Sequence, residues 1–347
     1  MSETENKKND KIICHRVDLN KIPPEKLETL KKMNAISFDD SPIDSPLRAA
    51  SAFIRTSNYP TAEQTKKYLT LNPPLNQIED ENGGSPLAYA VMYAQEVEVI
   101  KLLLEAGADI NKKANNGWDI FMLGVARSQK PEVISYILTR FPKDKETLSK
   151  LLLIAAMNNK NIDIIKLLLD KGAEVNYKNE KGITSIRAAL GQQSPEIIQL
   201  LLDHGANVNA RDINGATPLM DAAATCENPK IFEILLNAGA DPEMKDYKNN
   251  TALIYAAIWS SSGEVIDILD SVYPEQFNLN KALYMAAKNS TKSDVVGKLM
   301  DLGASFDFKD ADGKTAYDWA QTNTNPEIRR QFENKLKFDN GSLGLPN

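Results

Sequence analysis

The chain has 347 residues, 42% hydrophobic, 25% charged and 7% aromatic, and 41 Lys and Arg against 47 Asp and Glu leave a formal net charge of −6. This composition excludes a collagen-like or disordered chain, and no apolar run is long enough to suggest a membrane span. The mild acidity argues against an electrostatic grip on nucleic acid. Cys14, Cys226, His15 and His204 give neither a disulfide framework nor a zinc spacing, so no metal and no cofactor is expected. MSETENKKNDK (1–11) is polar with no apolar segment behind it, so no secretory signal is expected. A reduced, cytoplasmic protein follows, with a secretion route that needs no such signal left open.

In chain order, residues 1–20 read as a disordered tail. PPEKLETLKKM (23–33) reads as a short helix with Leu27, Leu30 and Met33 on one side. SPLRAASAF (45–53) and AEQTKKYLTL (62–71) form a degenerate helix pair with a longer loop at Asn58-Tyr59-Pro60. From there a Leu-rich run ending in Gly-Ala recurs: LLLEAGADIN (102–111), LLLDKGAEVN (167–176), LLLDHGANVN (200–209), ILLNAGADPE (234–243) and, more weakly, LMDLGASFDF (299–308). The glycines 107, 172, 205, 239 and 303 are separated by 65, 33, 34 and 64 residues, which fits a unit of about 33 with two glycines missing. ISYILTRFP (134–142) and IDILDSVYP (266–274) fill the two gaps, with aromatic-Pro in place of Gly-Ala. A second signal precedes each run: ENGGSPLAYAV (81–91), NEKGITSIRAAL (179–190), DINGATPLMDAA (212–223), YKNNTALIYAA (247–257) and DADGKTAYDWA (310–320).

These residues resemble the ankyrin repeat: a β-turn finger, Thr-Pro-Leu, a small-residue helix, a Leu-rich helix and Gly-Ala-Asp. The resemblance implies an all-α solenoid of stacked helix-turn-helix units joined by β-turn fingers, about eight repeats plus a C-terminal cap. Full units run over 80–113, 114–145, 146–178, 179–211, 212–245, 246–276 and 277–309, and PEIRRQFENKL (326–336) closes the stack with a polar outer face. The implied domains are 1–40 as tail and short helix, 41–338 as the array with its cap, and 339–347 as a second tail.

Each piece has a physical role. Thr217 caps a first helix with Pro218 at its first position. Ala222 and Ala223 allow two helix layers to approach. Leu200, Leu201 and Leu202 fill the seam between repeats. Gly205 and Gly239 take the left-handed conformation that ends a second helix. Asn111, Asn176 and Asn209 start the next finger, where an amide side chain bonds backbone.

Two places break the pattern. The matching small residue of the next first helix lies 17 residues beyond each glycine at 107, 172, 205 and 239, but 14 beyond Phe141 and 13 beyond Tyr273. PKDKETLS (142–149) and PEQFNLN (274–280) therefore read as tight links, with Ser149 and Asn280 capping the helices that follow. The irregularities lie 132 residues apart, which is four repeats and suggests an internal duplication. Independent drift at two loops would look the same.

No constellation for chemistry emerges, and an enzyme is not expected. His204 falls at a helix C-terminus, where a polar or cationic side chain is comfortable, and Cys226 reads as a loop thiol. The Gly-rich GGSPL (83–87) lacks the Lys of a phosphate loop. The resemblance instead implies a protein-binding scaffold, with a protein partner engaged by fingers and the exposed side of the first helices. Tyr93, Trp118 and Trp259 stand at those positions as candidate partner-binding residues, because large exposed aromatics often anchor interfaces. The alternative is local packing of each ring against a helix end or a neighbouring finger. Trp319 is expected in the core. A monomer is expected, without nucleic acid or membrane. The competing roles are a translocated effector that binds a host protein, in keeping with an Asn- and Lys-rich chain from an AT-rich, possible bacterial genome, and an inhibitory subunit that covers an enzyme.

Overall fold

A computed structural model describes residues 61–70, 72–73, 75–77, 82–260, 262–272 and 276–341. The expectations for 1–20, for the helices at 23–33 and 45–53, for Asn58-Tyr59-Pro60, for Cys14 and His15 and for the tail at 342–347 lie outside the described residues. The chain divides into two compact units, Met1–Ala173 and Glu174–Asn347. Among the described residues every regular element is helical.

In the first unit, α1 (Ala62–Leu69) precedes three helix pairs: α2 (Pro86–Tyr93) and α3 (Val97–Glu105), α4 (Ile120–Arg127) and α5 (Pro131–Arg140), α6 (Lys145–Asn158) and α7 (Ile162–Asp170). First helices pack on first helices, α2 on α4 and α4 on α6, while α1, α3, α5 and α7 form a second layer in that order. The second unit repeats the plan. Its pairs are α8 (Ser185–Ala189, continued by a 3-10 turn at Leu190–Gln192) and α9 (Pro195–Asp203), α10 (Pro218–Thr225) and α11 (Pro229–Asn237), α12 (Ala252–Trp259) and α13 (Glu264–Val272), α14 (Gln276–Asn289) and α15 (Ser293–Asp301), then α16 (Ala316–Ala320) and α17 (Pro326–Gly341). Layers α8-α10-α12-α14-α16 and α9-α11-α13-α15-α17 pack in sequence.

The first helices are short and buried almost all round because they form an inner layer. In α2 every residue from Pro86 to Met92 is buried, and Tyr93 alone emerges at the end. Second helices show one wet face, so their apolar residues fall at i, i+1 and i+4. Val99, Ile100 and Leu103 are buried in α3, Ile164, Ile165 and Leu168 in α7, and Ile197, Ile198 and Leu201 in α9. The expected Leu200-Leu201-Leu202 seam is corrected accordingly: Leu201 is buried, whereas Leu200 and Leu202 are half-buried on the flanks, since three consecutive helical residues cannot share one face.

The helix starts follow capping chemistry. Thr217 Oγ1 accepts from the Met220 amide at 3.4 Å, with Pro218 at the first position. Ser85 and Asp119 do the same for α2 and α4. The second helices α3, α7, α9, α11 and α15 are followed by Gly107, Gly172, Gly205, Gly239 and Gly303, each at φ between +82° and +92°, a conformation that costs glycine nothing.

The first shortened finger is a tight link, only residues 141–144 between α5 and α6, whereas residues 273–275 of the second lie outside the described residues. Asp144, not Ser149, caps α6 by accepting from the Thr147 amide at 2.7 Å, and Ser149 lies inside the helix donating to the Lys145 carbonyl. Asn280 likewise lies inside α14. Without an extended finger the following helix starts early, and α6 and α14 each run 14 residues where α2, α4, α10 and α12 run 8. Trp319 is a further correction. It is half-buried, its Nε1 donates to Asp310 at 3.1 Å, and the ammonium groups of Lys288 and Lys314 stand 4.0 and 4.4 Å from its ring.

Candidate protein-interaction surface

Fingers are built on an Asp side chain, buried at Asp212 and Asp246 and half-buried at Asp310. Asp212 Oδ1 accepts from the Asn214 and Ala216 amides, each at 2.8 Å. Asp246 does the same with Lys248 and Asn250, and Asp310 with Asp312 and Lys314. Neighbouring fingers are joined by single backbone bonds, Asn115 to Asn82, Ile213 to Lys181 and Tyr247 to Asn214.

The second carboxylate oxygen of each finger Asp faces the first helices. Arg187 pairs with Asp212 at 2.8 Å and also with Asp221. Tyr255 donates to Asp246 at 3.0 Å and Tyr284 to Asp310 at 2.9 Å. Although burial opposes its charge, the Ala216 amide and the Arg187 guanidinium hold Asp212 below the usual carboxylate range. Burial, reinforced by the facing carboxylates, pushes Tyr255 and Tyr284 up to about 12. These groups are committed to positioning the fingers.

Asparagines tie repeat to repeat. Asn176 donates to the Gly205 carbonyl and accepts from the Asn207 amide, and Asn209 does the same with Gly239 and Asp241. The amides thus reach the next repeat's helix end as well as starting a finger. Asn76 makes the same bridge to Gly107 and Asp109. Between α6 and α7, buried Asn159 donates to the Val125 and Ser128 carbonyls.

The three candidate aromatics fall in different settings. Trp259 is 63% exposed at the end of α12, and Tyr93 is 37% exposed at the end of α2, stacked on Tyr89 with ring centroids 6.2 Å apart. Trp118 is half-buried in its finger, where its amide donates to Asn116 and its carbonyl accepts from Ala114. Tyr93 and Trp118 belong to the first unit and Trp259 to the second. Sequence reasoning missed Ile213 and Tyr247, 61% and 72% exposed on adjacent finger tips. Aligning the tips would have found them, since they replace Glu180 and Ala311 of sister fingers. The Tyr247 ring lies over Gly215, where a Cβ would come within 2.9 Å of it.

His204 caps α9, its Nδ1 2.8 Å from the Leu200 carbonyl, as a helix end suggests. Cys226 follows α10 in a loop but is 3% exposed, with Sγ 3.6 Å from the Leu190 carbonyl, and burial raises its thiol pKa. No helix among the described residues is long and apolar enough to cross a membrane.

Stacked helix pairs that project fingers from an inner helix layer define a repeat protein built to present surface. The comparisons agree. A family model described as ankyrin repeats in three copies matches residues 152–246, and a single ankyrin repeat matches 82–115. The chain carries ankyrin repeats over these residues, and ankyrin arrays are protein-interaction scaffolds. It is similar to alpha-latrocrustotoxin-Lt1a of Latrodectus tredecimguttatus, 29% identical over 45% of this chain and 12% of the toxin. It is also similar to the ankyrin repeat protein FPV233 of fowlpox virus (strain NVSL), 54% identical over 10% of this chain and 7% of that protein. The chain therefore spans only a small part of these relatives' length. Among solved structures it matches the ankyrin repeat domain of Bcl-3, of the IkappaB family, at 27% identity and TM-score 0.47, covering 65% of this chain and 98% of that one.

Proposed function

We propose that the protein is a non-catalytic adaptor that holds a protein partner on its fingers and on the exposed ends of its first helices. The observation that carries this reading is the exposure of large rings where the repeat leaves its surface free, Tyr247 at 72% and Trp259 at 63%. A ring that size left in water loses the burial that a partner would restore, and such residues dominate interface energetics. Tyr93 and Trp118 offer a second, smaller surface on the first unit. The aspartates of the fingers are engaged in holding the turns, which suits a rigid, preorganised presenter.

The test is affinity capture from cytosol of the source organism, with wild type run beside folded variants Y93A/W118A and Y247A/W259A. A partner retained by wild type and lost by either variant supports the reading and assigns the unit. A partner held equally by both variants places binding elsewhere and refutes these residues. Detection of the protein in another cell would favour the effector role, and inhibition of a captured enzyme would favour the regulatory one.

A further inference from the structure

Three fingers carry Asn followed by Gly, at Asn82-Gly83, Asn116-Gly117 and Asn214-Gly215. Such a pair is chemically labile. The glycine nitrogen, once it loses its proton, attacks the Asn Cγ, closes a cyclic succinimide and expels ammonia. Water then opens the ring to aspartate or to β-linked isoaspartate. Glycine favours the attack because no Cβ obstructs it and its backbone turns freely.

The stacking of fingers treats the three pairs differently. The Asn82 carbonyl accepts from the Asn115 amide at 2.9 Å, and a Cβ on Gly83 would lie 2.7 Å from Asn115 Oδ1. The Asn214 carbonyl accepts from the Tyr247 amide at 3.0 Å, and the Tyr247 ring covers Gly215. Gly83 and Gly215 are buried as a result. After Gly117 the next repeat has no finger, only residues 141–144 leading from α5 into α6. Gly117 is exposed, and nothing lies within 4 Å of the place a Cβ would take there.

The Asn side chains differ as well. Asn116 Oδ1 accepts from the Trp118 amide at 3.0 Å, an Asx turn that folds the carboxamide back along the chain beside the Gly117 nitrogen. That N–H is aimed at the oxygen on which negative charge develops as Cγ becomes tetrahedral, so it stabilises the intermediate. At Asn214 the corresponding amide, that of Ala216, is taken by Asp212, and Asn214 Nδ2 turns to Asp212 Oδ2 at 3.4 Å. The nearby carboxylate also opposes proton loss from the Gly215 amide. The Gly117 and Gly215 amides both donate to the carbonyl three residues back, at 2.9 and 3.0 Å, so that restraint does not separate them.

We propose that Asn116 is a site of spontaneous deamidation selected by the fold, converting to aspartate and isoaspartate in the native protein while Asn82 and Asn214 are protected. Isoaspartate lengthens the backbone by a methylene. It therefore breaks the Asx turn and the 2.8 Å bond from the Ala114 amide to the Trp118 carbonyl, and loosens the finger that holds Trp118. No partner is needed for this chemistry, so it stands apart from the adaptor reading.

The experiment is ageing of the full chain in mildly alkaline buffer, native and in concentrated urea, with peptide mapping that separates Asn, Asp and isoaspartate at 82, 116 and 214. In urea the three sites should convert at similar rates, since each is Asn-Gly in an open chain. In the native protein Asn116 should convert about tenfold faster than Asn82 or Asn214, the ratio expected from one hydrogen bond to the developing oxyanion together with an open approach. Its rate should rise with pH, because the attacking amide must lose a proton. The isolated isoaspartate fraction should exchange the Ala114 amide hydrogen faster than unaged protein. Native conversion of Asn82 or Asn214 as fast as Asn116, or an Asn116 that converts in urea alone, would overturn the assignment. Unchanged Ala114 exchange in the isoaspartate fraction would overturn the loss of the turn.

Discussion

Asn159 offers the sharpest test of how the first unit is held together. It follows α6, is 1% exposed, and its amide donates to the Val125 carbonyl at 2.9 Å and the Ser128 carbonyl at 2.8 Å, while its oxygen accepts from the Asn161 amide at 2.9 Å. Truncation to alanine removes three hydrogen bonds worth ~0.5–1.5 kcal/mol each and leaves buried backbone groups unpaired, so N159A should cost roughly 2–4 kcal/mol. Its neighbour Asn158 has the same chemistry but is exposed and bonds only the Ile154 carbonyl of its own helix. N158A should therefore fall within about ±0.5 kcal/mol of wild type. Urea unfolding followed by circular dichroism measures both, and native-state hydrogen exchange should place the N159A loss in α4 to α7. N159D keeps the acceptor but sets a charge against two carbonyls, so it should be no more stable than N159A. A cost for N159A within 1 kcal/mol of that for N158A would refute the reasoning, because the stranded carbonyls would then have found other donors.

Two further outcomes follow from the same packing. Gly124 stands where sister repeats place Ala155, Ala189, Ala222 and Ala256, yet a Cβ there would lie 2.6 Å from Val91 Cγ1 and 2.9 Å from Ile134 Cδ1. The helix propensity gained, about 1 kcal/mol, is outweighed by ~1–3 kcal/mol of overpacking, so G124A should destabilise by about 1 kcal/mol; a stabilised variant by urea unfolding would contradict this. Asp212 is held below its unfolded value, so its contribution is present above a pH near 3.9 and is lost as the pH falls through the lower folded value. Wild type should lose stability on acidification below about pH 4, and D212N, weaker at neutral pH, should lose less over the same window. Parallel pH curves for the two proteins would remove Asp212 from the account.

Part of the surface was legible in the sequence. Tyr93 and Trp259 stand out because their helices are short, so a ring at the final position has no layer left to enter. Trp118 was misjudged in degree, since its finger folds back through the Ala114–Trp118 bond and half-covers the ring. Trp319 was misplaced because an apolar ring beside Ala316 and Ala320 reads as core, and only the fold brings Asp310, Lys288 and Lys314 around it. Tyr247 and Ile213 were passed over because a single finger looks like any polar turn.

By itself, the sequence determined the repeat, its helix pairs and their terminating glycines. These depend on local geometry: a 3.6-residue period, a cap and a left-handed glycine are each written within a few neighbouring residues. The tertiary structure alone decided what joins one repeat to the next. The amide of Asn176 finds Gly205, Asn159 finds Val125, Arg187 finds Asp212 and Lys281 finds Asn249 across intervals of 25 to 34 residues. No local rule encodes those partners, because they meet only when successive layers stack in register. The lengths of α6 and α14 were decided at the same level, where a missing finger left room for the helix to start early.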